Sequence, residues 1–127
     1  VQPVWGDEFM NEISKCRFGL NLSRGEPVKH YSSNRIATLV GNGIPTLIDE
    51  KIKFSDFFSN NEMIFYKGIY DLIDKVNYYK KNERKRIQIG VNGQSKYFKI
   101  FSNIIVADYI ASKTLGTKPS YNYVWDQ

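Results

Sequence analysis

The chain has 127 residues and a formal charge of +5, a size that suits one domain large enough to bury an ordinary core. Its one cysteine, Cys16, rules out an intramolecular disulfide and fits a reducing compartment; with a single histidine, His30, no Cys/His zinc spacing exists either. No apolar run approaches the roughly 18 residues of a membrane span, and there are no repeats or low-complexity segments.

Residues 1–5 read as an extended lead-in, followed by a helix over 8–15 with Phe9, Met10 and Ile13 on one side, expected to pack under the first strand. Cys16 reads as a small apolar packer just before that strand, whose Phe18, Leu20 and Leu22 form a short buried run. From 23 to 33 the chain is polar, and Gly25 and Pro27 break regular structure. Ile36, Leu39 and Val40 then mark one apolar helix face. Ser32, Ser33 or Asn34 can cap its start, and Gly41-Asn42-Gly43 can stop it. Ile44, Leu47 and Ile48 make a second buried strand.

Phe54, Phe57 and Phe58 belong to a helical turn within 51–61 and read as core rather than as a stacking platform. Residues 62–66 read as a third strand. Ile69, Leu72, Ile73, Val76 and Tyr79 define an amphipathic helix, with Asp71 and Asp74 near its positive end. A helix over 83–100 is expected to bend at Gly90 and Gly93. A last helix over 103–115 ends at Gly116, and Tyr121, Tyr123 and Trp125 of the tail are placed to cover apolar surface or to pair with another chain.

Strands joined by a helix run parallel through a right-handed crossover, so this order predicts an α/β, Rossmann-like parallel sheet with flanking helices. Ligands of such sheets bind beyond the carboxyl ends of the strands, where helix N-termini present bare N–H groups to anions. Residues 23–35 occupy that edge. Arg24, Lys29 and Arg35 put three cations there, suited to a diphosphate leaving group, although Arg35 reads equally well as a structural partner of Asp49 or Glu50. His30 reads as a surface or structural histidine from its position alone.

The run Asn34-Arg35-Ile36-Ala37-Thr38-Leu39-Val40-Gly41-Asn42-Gly43, preceded by Gly19-Leu20-Asn21-Leu22, resembles the C-terminal nucleotide-sugar half of GT-B glycosyltransferases, nearest to the CgeB-like branch. Residues 62–66, 69–79 and Arg86-Ile87-Gln88-Ile89-Gly90-Val91-Asn92-Gly93 continue the pattern, so the resemblance spans residues 7–111. It implies the donor-binding part of an enzyme that transfers a sugar from a nucleotide-diphosphate sugar to a saccharide or other acceptor. It also implies a fragment of a longer chain, inactive alone, whose remaining N-terminal domain holds the acceptor site and the general base.

The donor-binding residues the resemblance suggests are Ser23, Arg24, Gly25, Glu26, His30, Ser33, Asn34, Arg35 and Thr38, with no cofactor, no metal and no assigned catalytic residue. Many retaining relatives carry a Glu-x7-Glu pair, which counting back from Gly43 places at His30 and Thr38. Neither is a carboxylate, and a threonine lacks the charge-assisted bond to a ribose. The donor site is thus retuned, shifted to Glu26, or lost, and a non-catalytic α/β interaction domain is the alternative.

Lys80, Lys81, Arg84, Lys85 and Arg86 form a basic cluster that reads as a solvated face, or as a peripheral contact with the inner face of a membrane for a protein otherwise placed in the cytoplasm. A nucleic-acid module is disfavoured, because the aromatics follow helical spacing rather than a strand motif.

Overall fold

The computed structural model describes residues 2–31 and 33–126. Three strands, β1 (Gly19–Asn21), β2 (Thr46–Asp49) and β3 (Ile64–Tyr66), form a parallel sheet in the order β1-β2-β3. Gly19 lies opposite Thr46, and Leu47 opposite Ile64. Five helices accompany them: α1 (Gly6–Ser14), α2 (Asn34–Gly41), α3 (Ile69–Lys81), α4 (Glu83–Phe101) and α5 (Asn103–Leu115). Two 3-10 turns, Glu50–Ile52 and Phe54–Asp56, lead from β2 towards β3. The expected α/β parallel sheet flanked by helices is the architecture found, and Ser32, one of the three proposed caps, lies outside the described residues.

Alternation along β2 and β3 sorts the core into two layers. Ile48 and Phe65 join Ile36, Val40, Ile52, Phe54, Phe58, Met63 and Ile100 on one face; Leu47, Ile64 and Tyr66 meet Ile89 on the other, with Phe18, Leu72, Val76 and Tyr79 at its margin. Both faces of these strands are covered, as a parallel sheet requires.

β1 reverses the expected pattern. Gly19 and Asn21 are its buried residues, whereas Leu20 and Leu22 are 39% and 55% exposed. Leu39 of α2 bears on it: a Cβ on Gly19 would stand 2.6 Å from a Leu39 methyl carbon, so glycine lets Leu39 pack directly on this face of the strand and any larger residue would make Leu39 shift. α1 also departs from expectation. It buries no residue, its Met10 and Ile13 line a groove beside Ile87 and Val91 of α4 instead of packing under β1, and Cys16 is exposed. On α3 the apolar Leu72, Val76 and Tyr79 are half-buried against β3 and α4, whereas Ile69 and Ile73 are exposed.

The two glycines of α4 do not interrupt it, for the helix runs unbroken over 19 residues. A methyl group at Gly90 would overlap the carbonyl oxygen of Gly43, and one at Gly93 would overlap that of Glu62. Their purpose is close approach to the two segments that lead into β2 and β3. Gln94 Nε2 donates to the Gly41 carbonyl at 2.8 Å and Asn92 Nδ2 to that of Asn61 at 3.1 Å, fixing the same crossing. At the far end Gly116 takes φ +65° and ends α5 as expected. The tail then returns: Tyr123 is buried, Trp125 stacks on Phe101 with ring centroids 5.2 Å apart, and the Tyr123 hydroxyl donates to Asp108. Tyr121 stays outside this cover.

Gly90→Ala is expected to destabilise the protein by about 1–3 kcal/mol through overpacking, against about 1 kcal/mol that alanine contributes to an ordinary helix. Urea unfolding decides it; a variant as stable as the parent would remove the close-approach account.

Candidate functional site

The carboxyl edge of the sheet is built from three strand ends. Beyond β1 runs the loop 22–33, and three anchors hold it. The Arg35 guanidinium donates from Nη1 to the Leu22 carbonyl at 3.0 Å, closing the loop at its base. The backbone N–H of His30 donates to the Ile52 carbonyl at 2.8 Å, and its Nε2 lies 2.8 Å from Asp56 Oδ2. The His30 ring also rests on Phe57, centroids 4.6 Å apart. His30 takes φ +58°, a conformation costly for a residue with a Cβ, and these contacts hold it there. Lys29 stands 3.9 Å from the same carboxylate.

Of the residues the sequence nominated, Arg24, Gly25, Glu26 and Asn34 are exposed, and Ser33 stands at the N-cap of α2. Arg35 meets neither Asp49 nor Glu50; its partner is the Leu22 carbonyl. Thr38 turns its hydroxyl into its own helix and donates to the Asn34 carbonyl at 3.1 Å. Ser23 points inward, and its Oγ is buried without a hydrogen-bond partner. The structure therefore gathers Ser23, Ser33, Asn34 and Arg35 around the first turn of α2, sets His30 against Asp56, and leaves Arg24, Gly25 and Glu26 on the outer surface of the loop. No acidic side chain occupies the first turn of α2, so its positive end is not neutralised from within.

A second feature lies one strand over. A cleft of about 600 Å³ opens beyond β2 and β3, lined by Asp49, Glu50, Lys51, Lys53, Lys67 and Gly68. None of the nominated residues lines it. Applying the strand-end rule to β2 and β3 as well as to β1 would have found it, since all six residues end or closely follow one of these strands. Lys67 pairs with Glu50 at 3.5 Å, and the Lys67 backbone N–H donates to Asp71 at 2.7 Å, which ties the residue before the α3 N-cap to the first turn of the helix. The 3-10 segment 50–56 separates cleft from loop; Lys53 lines the cleft while Asp56 anchors His30. Among the described residues no cluster of three or more His, Cys, Asp or Glu side chains is arranged to hold a metal ion, and no helix is long and apolar enough to cross a membrane.

The basic cluster is not one surface. Arg86 is only 6% exposed, pairs with Glu83 at 2.7 Å and lies 5.6 Å from the Phe18 ring centroid, whereas Lys80, Lys81, Arg84 and Lys85 are exposed. Arg86 is thereby part of the packing beneath β1.

A family model described as glycosyl transferase-like matches residues 1–111. The chain belongs to the glycosyl transferase-like family. The match takes in the sheet, the loop, the cleft and all of α1 to α4, and ends within α5. No curated protein and no solved structure matches the chain. Membership in this family makes glycosyl transfer the general role against which the carboxyl edge is read.

The His30 bond, joined by the charge of Lys29, holds the Asp56 carboxyl below its ordinary 3.8. A carboxyl lowered by folding stabilises the protein fully above its unfolded pKa and loses that contribution as pH falls through the folded value. Asp56→Asn is therefore expected to be less stable than the parent at about pH 5.5, with the gap closing by about pH 2.5. Paired urea titrations at the two pH values measure it, and a gap independent of pH would show that the anchor carries no charge coupling.

Proposed function

We propose that this chain is the donor-binding part of a GT-B glycosyltransferase of the CgeB-like branch, which transfers a sugar from a nucleotide-diphosphate sugar to a saccharide or other acceptor. The observation that carries the reading is the family match over a parallel β-α-β unit whose loop opens onto the uncompensated N-terminus of α2. In this reading the diphosphate lies against that helix end with Arg35, and with Arg24 of the loop. Ser23, Gly25, Glu26, Ser33 and Asn34 complete the wall, His30 faces the donor sugar and Thr38 the ribose. The acceptor site and general base belong to a further domain of the same protein, and neither a metal nor a cofactor takes part. A peripheral membrane contact through Lys80, Lys81, Arg84 and Lys85 is compatible with it.

One observation favours a second reading, a domain that kept the fold without the chemistry. His30 is bound to Asp56 and Thr38 to its own helix, so both positions where a carboxylate pair would stand are occupied with structural bonds.

Calorimetry on the full-length protein with a panel of nucleotide sugars separates the two. Arg35→Ala is expected to weaken donor binding by about 1–3 kcal/mol, the scale of a lost hydrogen bond to a charged group, and Thr38→Ala by less. Equal affinities for parent and Arg35→Ala take Arg35 out of the site, while absence of binding by both supports the non-catalytic reading. Replacing Lys80, Lys81, Arg84 and Lys85 with Gln is expected to leave affinity unchanged, since these residues sit at the α3–α4 junction, away from the loop; weakened binding with an unaltered circular dichroism spectrum would contradict that placement.

A further inference from the structure

The carboxyl end of β1 and the first turn of α2 enclose two polar atoms that the chain itself does not satisfy. Gly19 and Asn21 share the inward face of β1, and Leu39 packs over Gly19. Two residues of strand advance about 6.6 Å, which equals about four residues of helix, so Asn21 lies beneath the start of α2. The Arg35 bond to the Leu22 carbonyl at 3.0 Å fixes the same register. Asn21 is 3% exposed, yet its Oδ1 has no hydrogen-bond partner, and neither has the buried Oγ of Ser23. Buried, unpaired polar atoms are rare in folded proteins, and a leucine of similar size would fill the position without that penalty.

We propose that Asn21, together with Ser23, forms a specificity-determining subsite for the hydroxyl-bearing part of the ligand adjoining its phosphate. The inference rests on the donor-binding reading given above. The chemistry selects a hydroxyl: Oδ1 needs a hydrogen, which an ionised phosphate cannot supply. A hydroxyl donates to Oδ1 and accepts from the Ser23 hydroxyl, so one group serves both atoms. A phosphate meanwhile suits the positive end of α2, whose first turn holds no acidic side chain, and Arg35 beside it. A hydroxyl one or two bonds from a phosphate-bearing carbon is the signature of a sugar phosphate. Both atoms are buried in this structure, so occupation requires the chain around them to open.

Asn21→Leu tests this, because a structural residue and a binding residue respond oppositely. The melting temperature is expected to stay level or rise, while calorimetry shows affinity for UDP-glucose or GDP-mannose falling at least tenfold and affinity for UDP or GDP unchanged. A parallel fall for the free diphosphates also supports the subsite and assigns its hydroxyl to the ribose instead of the transferred sugar. Unchanged affinity for every probe overturns the subsite and leaves the donor reading intact. A lowered melting temperature accompanying weaker binding overturns it too, marking Asn21 as structural. These measurements use the full-length protein, and if it binds none of the probes, the donor reading fails and the subsite with it.

Discussion

The close crossing of α4 over the two segments that enter β2 and β3 is the constraint on which the rest of the structure depends. Backbone meets backbone there, with Gly90 against Gly43 and Gly93 against Glu62, and no side chain intervenes. The contact sets how deeply α4 lies on the sheet, and so places Ile89 in one core layer and Ile100 in the other. It also holds the amino ends of β2 and β3 rigid, which leaves the carboxyl ends free to carry polar and strained features. Division of labour between the two ends of a parallel sheet is the usual arrangement in α/β proteins, and here it has a specific mechanical origin.

At the carboxyl edge, stability is traded for exposed and unsatisfied groups. His30 sits in a left-handed conformation, Lys53 at φ +60° does the same beside the cleft, and Asn21 and Ser23 keep unpaired buried oxygens. Such features persist only when their surroundings over-determine them. The surroundings are the aromatic cluster of Phe54, Phe57, Phe58 and Phe101, on which Trp125 of the tail stacks. The tail and α5 thereby support the loop from behind: Trp125 reaches Phe101, Phe101 reaches Phe57, and Phe57 carries the His30 ring.

Glycosyl transfer from an activated donor asks a protein for little covalent chemistry and much charge placement, since a diphosphate must be stabilised as it leaves. The first turn of α2 holds no acidic side chain, and under the proposed function this helix end, Arg24 and Arg35 are the groups that would meet that demand. The departures from a carboxylate pair at His30 and Thr38 shift attention to neutral groups. Asn21 and Ser23 are neutral, buried and unspent, whereas His30 and Thr38 are already bonded.

Residue spacing alone determined the order and type of the elements. The 3.6-residue recurrence of Ile36, Leu39 and Val40, the short apolar runs at Ile44–Ile48 and Met63–Tyr66, and the cap glycine at 116 specify local structure, because backbone geometry imposes those periods wherever one face is buried. Parallel pairing followed, since a helix-length connection permits little else. What spacing could not carry is which neighbour a face meets. Leu20 and Leu22 look like core, yet Gly19 and Asn21 face inward, where Leu39 packs into the room that glycine leaves. Gly90 and Gly93 look like helix weaknesses and prove to be contact points; Arg86 looks like one of five surface cations and is buried against Glu83 and Phe18. The same limit applied to the carboxyl edge: the helix start at Asn34 was legible after a strand, whereas the partner of His30, 26 residues away, and the orphaned oxygen of Asn21 were not. Those depend on contacts between segments distant in sequence, which only the packed tertiary structure decides.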